Sequence, residues 1–92
     1  MADRRSASAF GAVLKRHRQA AGMTQEELAE MAGLARHTIG TFERGVRRPG
    51  LDTLLELGIG LGMRPGTLLD ETAALLVDLD GGSALSVGSS TS

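Results

Sequence analysis

The stretch Thr24-Gln25-Glu26-Glu27-Leu28-Ala29-Glu30-Met31-Ala32-Gly33-Leu34-Ala35-Arg36-His37-Thr38-Ile39-Gly40-Thr41-Phe42-Glu43-Arg44-Gly45 decides the fold. It opens with a capping box: the Thr24 hydroxyl is placed to accept from the Glu27 N–H, and the Glu27 carboxylate to reach back to the Thr24 N–H. The helix so started puts Leu28, Ala29 and Ala32 on one face and stops at Gly33. A second short helix is expected from about Arg36 to Arg44, with Ile39 and Phe42 inward and Thr38 beside them. Helical spacing then puts Arg36, His37, Gly40, Thr41 and Arg44 on the opposite face.

Two short helices joined by Gly33-Leu34-Ala35 have the signature of a helix-turn-helix. Ala29 is small enough for the second helix to cross close over the first. Gly33 supplies a backbone angle that a side chain resists. With Ile39 and Phe42 anchored in a core, the opposite face is held out rigidly, and its polar groups are of a kind that a major groove accepts.

Working outward, Ala7 to Ala21 carries Phe10, Val13, Leu14 and Ala21 at helical spacing, with His17 on the same stripe as a packing residue, and Gly22 ends it. Gly45 to Gly50 reads as a loop. Leu51 to Gly62 is apolar nearly all round, the pattern of a central, buried helix. Within it Gly58 and Gly60 are expected to weaken the helix. Pro65 suits the first turn of a last helix bearing Leu68, Leu69, Leu75, Leu76 and Leu79. Residues 81–92 are Gly/Ser-rich and read as a flexible tail, in which Ala84 to Val87 is the one faint strand candidate.

Ninety-two residues fit one domain with a modest core. The chain has no cysteine, which excludes disulfides and thiolate metal sites. No apolar run approaches a membrane span, and Arg4-Arg5 is not followed by the apolar segment of a signal peptide. A soluble, intracellular protein is expected. The net charge of -1 hides an asymmetry: residues 1–50 hold nine basic and five acidic side chains, and residues 51–92 one basic and six acidic. A basic half fused to an acidic half suggests one face for a polyanion. Phe10 and Phe42 are the only aromatics, too few for the stacking platforms of single-strand and RNA binders. Arg4 and Arg5 read either as a basic arm along DNA or as a disordered terminus.

At these positions the chain resembles the lambda-repressor-like helix-turn-helix regulators (Cro/repressor-type, xenobiotic-response-element-type) of bacteria. The resemblance is carried by Leu14, Arg18, Gly22, Thr24-Gln25, Leu28-Ala29, Gly33-Leu34, Thr38-Ile39, Glu43-Arg44-Gly45, Pro49, Leu54 and Leu61-Gly62, and it covers about Ser8 to Asp70. It implies an all-α, compact five-helix domain over residues 8–71, with a helix-turn-helix at about 25–44; residues 72–80, past the family's minimum domain, read from their leucines as an extension of the last helix. It also implies double-stranded DNA as the partner and a cytoplasmic, nucleoid-associated location. Gln25 would bind a phosphate with its side chain and the helix N-terminus. Arg36, His37 and Thr41 would reach base edges, with Arg36 bidentate to a guanine. Arg44, Arg47 and Arg48 would bind phosphates, and Arg18 and Glu43 would form a partly buried salt bridge.

Two positions depart from the family pattern. Ala35 stands where Ser or Thr usually caps the recognition helix, at a cost of about 1 kcal/mol. Gly40 offers no side chain for readout. The leucines from Leu68 to Leu79 read either as closing the core or, for Leu75, Leu76 and Leu79, as a homodimer seam or a dock for a partner helix, the second reading being the favoured one. A rival reading is a protein-interaction module of antitoxin or anti-regulator type that uses the acidic C-terminal half. The sequence holds no convergent nucleophile, base and oxyanion set and no metal cluster, so neither an enzyme nor a cofactor is expected.

Overall fold

The Thr24 capping box forms as its residue types require: Thr24 Oγ1 accepts from the Glu27 N–H at 3.0 Å, and Glu27 Oε1 accepts from the Thr24 N–H at 2.8 Å. Around it a computed structural model describes residues 2–79, with side chains described for residues 5–78. The five helices are α1 (Ala2–Ala20), α2 (Gln25–Ala32), α3 (Arg36–Glu43), α4 (Leu51–Leu61) and α5 (Pro65–Leu79). No strand occurs among the described residues. The tail at 81–92, with its Ala84–Val87 segment, lies outside them, as does the side chain of Leu79.

Gly33 ends α2 at φ 73° and ψ 33°, in the left-handed region that costs glycine nothing. The Leu34 N–H then donates to the Ala29 carbonyl at 2.8 Å, and Leu34 packs against the core. This closure aims the chain into α3.

The core gathers Phe10, Val13 and Leu14 of α1, Leu28, Ala29 and Ala32 of α2, Ile39 and Phe42 of α3, Leu54 and Leu57 of α4, and Leu68 of α5. Each large member contributes about 1.5–3 kcal/mol by burial. The Phe10 and Phe42 rings meet edge to face, with centroids 6.4 Å apart.

Helix α1 begins at Ala2 rather than near Ala7, so Arg4 and Arg5 lie on a helix and not in an extended arm. Its approach to α3 depends on Gly11. A Cβ there would lie 2.3 Å from the Phe42 carbonyl oxygen and 2.8 Å from that of Glu43.

Helix α4 is not buried all round. Leu54, Leu57, Gly58 and Gly60 face inward, while Leu51, Leu55 and Ile59 are 71%, 45% and 72% exposed. These three share one face by four-residue spacing. Helix α4 packs on α2 and α5, and among the described residues its outer side is left exposed. Gly58 and Gly60 also do more than weaken α4. A Cβ at Gly58 would lie 2.6 Å from Pro65 Cγ, and one at Gly60 3.0 Å from Ala32 Cβ, so both permit close packing.

His17 is a polar tie rather than an apolar packing residue. Its Nε2 donates to Glu71 Oε1 of α5 at 2.7 Å, and the Arg16 guanidinium joins the same carboxylate. These bonds, His17 first and Arg16 second, hold the Glu71 carboxyl below its ordinary pKa.

Gly11→Ala gains helix propensity but forces a backbone contact, so a net loss of about 1–3 kcal/mol is expected, read as a lower melting temperature. Because the folded pKa of Glu71 is depressed, its contribution to stability is present above the unfolded value of about 4.3 and fades as pH falls through the folded value. Thermal melts of Glu71→Gln should therefore lose less stability on acidification than those of the parent chain.

Candidate nucleic-acid interface

The outer face of α3 is built from behind. Ile39 is fully buried and Phe42 nearly so. Glu43, in the last turn, receives Arg18 of α1 through Nε to Oε2 at 2.6 Å and Nη2 to Oε1 at 3.0 Å. The two side chains are 11% and 4% exposed. Arg18 also donates to the Met23 carbonyl at 2.8 Å. Hydrogen bonding to Glu43 raises the Arg18 pKa above its ordinary value, against a smaller opposing effect of burial.

A third helix joins this carboxylate. Gln25 Nε2 donates to Glu43 Oε1 at 3.0 Å. Sequence reading places Gln25 on a phosphate but does not find this tether, because residues 18 positions apart carry no periodic signal.

Arg36 and His37 are exposed on the first turn of α3. Thr41 is half-buried, and its hydroxyl donates to the His37 carbonyl at 2.8 Å, so its proton is committed to the backbone. Arg44, Arg47 and Arg48 are exposed and continue the basic surface past α3. With Ala7, Ser8, Gly45 and Val46 they line one open hollow. Ser8 is a member that the sequence pattern misses; it arrives because the Gly45 backbone lies against it. A second hollow, at the start of α2, brings together Arg18, Thr24, Gln25, Glu26 and Arg36.

Gly40 does not belong to the open face. It is buried, covered by the ends of the Arg44 and Gln25 side chains. Ala35 occupies the N-cap of α3 at φ -76° and ψ 147° without a side-chain cap, as expected.

Two short helices crossing at Gly33, the second locked from behind and basic in front, define a helix-turn-helix domain. The chain belongs to that family: the model described as "Helix-turn-helix" matches residues 14–68. It is 38% identical over 71 residues to the SPbeta prophage-derived uncharacterized HTH-type transcriptional regulator YonR of Bacillus subtilis (strain 168), covering 77% of this chain and 65% of that relative. Among solved structures it is similar to the restriction-modification controller protein C.AhdI from Aeromonas hydrophila (TM-score 0.66, 39% identity, 67% of this chain and 94% of that one). It is also similar to the clp gene regulator ClgR from Corynebacterium glutamicum (TM-score 0.77, 26% identity, 88% and 86%).

The uncapped start of α3 can be tested. Ala35→Ser should stabilise the domain by about 1 kcal/mol through a bond to the free N–H groups of the first turn. A raised melting temperature is expected; a fall would place the N-cap elsewhere.

Proposed function

We propose that this chain is a sequence-specific, duplex-DNA-binding transcriptional regulator of repressor type, with α3 in the major groove. The observation that carries the reading is the outer face of α3, polar and fixed from behind by Ile39, Phe42 and the Arg18–Glu43 pair. In this reading Arg36 pairs with a guanine, and His37 and Thr41 lie against neighbouring base edges. With its hydroxyl proton on the His37 carbonyl, Thr41 offers a lone pair and a methyl group. Gln25, Arg44, Arg47 and Arg48 hold phosphates. The regulator names of the relatives support this reading over an interaction module. A cytoplasmic location, on the nucleoid, goes with it.

One copy reads little. Helix α3 has eight residues, about 12 Å of axis, and carries three base-reading side chains. Two copies related by a two-fold axis double that reading and ask for a palindrome with half-sites one helical turn apart. Leu75 packs against the core and Leu76 is half-buried; of the exposed large apolar residues Met31, Val46, Leu51, Leu55, Ile59 and Leu69, three lie together on one face of α4. We therefore assign the homodimer seam to the outer face of α4 in place of the Leu75, Leu76 and Leu79 stripe.

Selection of bound sequences from random duplex DNA should recover a palindrome; recovery of no preferred sequence counts against the reading. Binding should weaken with salt by about 0.9 log unit per decade for each phosphate contacted, and Arg47→Ala should lower that slope by about one. Ile59→Asp should leave a folded monomer in sedimentation while the parent chain sediments as a dimer.

A further inference from the structure

The sequence pattern treats Gln25 and Arg44 as separate phosphate contacts and Gly40 as an empty place on the reading face. In the folded domain all three lie side by side. A Cβ built at Gly40 would lie 3.0 Å from Arg44 Nη1, 3.7 Å from Gln25 Oε1 and 3.8 Å from Gln25 Nε2. A side chain at Gly40 would press on the end of Arg44 and touch the end of Gln25, one from the end of α3 and one from α2.

Each end is tethered. The Glu43 carboxylate only accepts, so the Gln25 atom bonded to it is the amide nitrogen, and one Gln25 N–H remains unassigned. Arg44 folds back along α3, the direction in which long helical side chains lean. Its Nη2 lies 3.5 Å from Thr41 Oγ1, a long contact that leaves the remaining N–H donors of the guanidinium for another acceptor. Because position 40 carries only a hydrogen atom, both ends can lie over it.

We infer that Gln25 and Arg44 form a single anion clamp for one DNA phosphate, and that Gly40 is the positioning residue that makes the clamp possible. This rests on the proposed DNA binding and deepens it. The absence of a side chain at Gly40 is then not a missing reader but the space in which a cation and an amide converge. The clamp adds affinity without sequence information, since a phosphate is the same at every base pair.

The inference predicts opposite signs at position 40. In Gly40→Ala the new methyl presses on the flexible end of Arg44, which can yield, and alanine favours the helix. The variant should melt higher and bind DNA more weakly, a combination that a merely structural glycine would not produce.

The experiment is a double-mutant cycle on Gln25→Ala and Arg44→Ala with Gly40→Ala alongside. Affinity is measured on a mixed-sequence duplex and on the duplex recovered by selection, and folding is monitored by thermal melts. The expected result is a coupling of about tenfold between Gln25 and Arg44, within the range for groups that act together. The loss should be similar on both duplexes, and Gly40→Ala should lose affinity despite its higher melting temperature. Additive single losses would overturn the clamp. So would a loss from Arg44→Ala confined to one base pair of the selected site, which would make Arg44 a base reader. Unchanged affinity in a folded Gly40→Ala would overturn the positioning role. Failure of the parent chain to bind either duplex would remove the proposed function together with the clamp.

Discussion

The carboxylate of Glu43 is the point at which the domain is tied together. It sits in the last turn of α3, takes two bonds from Arg18 of α1 and one from Gln25 of α2, and is 4% exposed. A charge so placed is tolerable only because its acceptor sites are filled, and exposing one partner by deleting the other costs about 3–5 kcal/mol when the pair is fully buried. The geometry also depends on Gly11, which lets α1 touch the Phe42 and Glu43 carbonyls. Backbone contact and ion pair therefore act on the same end of α3. Together they set its orientation against α1 and α2, and hence the direction in which Arg36 and His37 point.

This arrangement matters because α3 has little stability of its own. It has eight residues, no side-chain N-cap and an internal glycine. Isolated helices shorter than about 12–15 residues are marginal in water even with ideal composition. What keeps α3 helical is tertiary: Ile39 and Phe42 in the core, and Glu43 in its cage. The outer face of α3 is thus a property of the folded domain, not of the segment that carries it.

Much of the fold was legible from local chemistry. The capping box, the left-handed Gly33 and the inward pair Ile39 and Phe42 are signals whose cause lies within a few residues. The Arg18–Glu43 pair was legible only through the family resemblance, since nothing local links residues 25 positions apart. The misreadings share a different cause. Periodicity tells which side chains share a face but not whether a neighbour covers it. The pattern of α4 therefore reads as that of a central helix, although Leu51, Leu55 and Ile59 meet no other helix strongly enough to be buried. Glycine has no side chain to enter the pattern at all. Gly11 carries no sequence signal, and the angular position of Gly40 is outward, whereas long side chains from Gln25 and Arg44 close over it.

The same distinction orders the candidate interface. The groups proposed to read bases, Arg36, His37 and Thr41, come from one helix and were visible as a periodic set. The groups proposed to hold the backbone come from α2, the end of α3 and the loop after it, and the hollow beside that loop is walled by Ala7 and Ser8 of α1. A duplex presents phosphates along two strands while a base edge lies within one groove, so backbone contacts must come from several elements held at fixed separation. Phosphate contacts position a protein on DNA without specifying sequence. The small core and the Glu43 hub therefore act on geometry as much as on stability: by fixing α1, α2 and α3 against one another, they fix the distance between the groups proposed to hold the backbone and the three side chains proposed to face the bases.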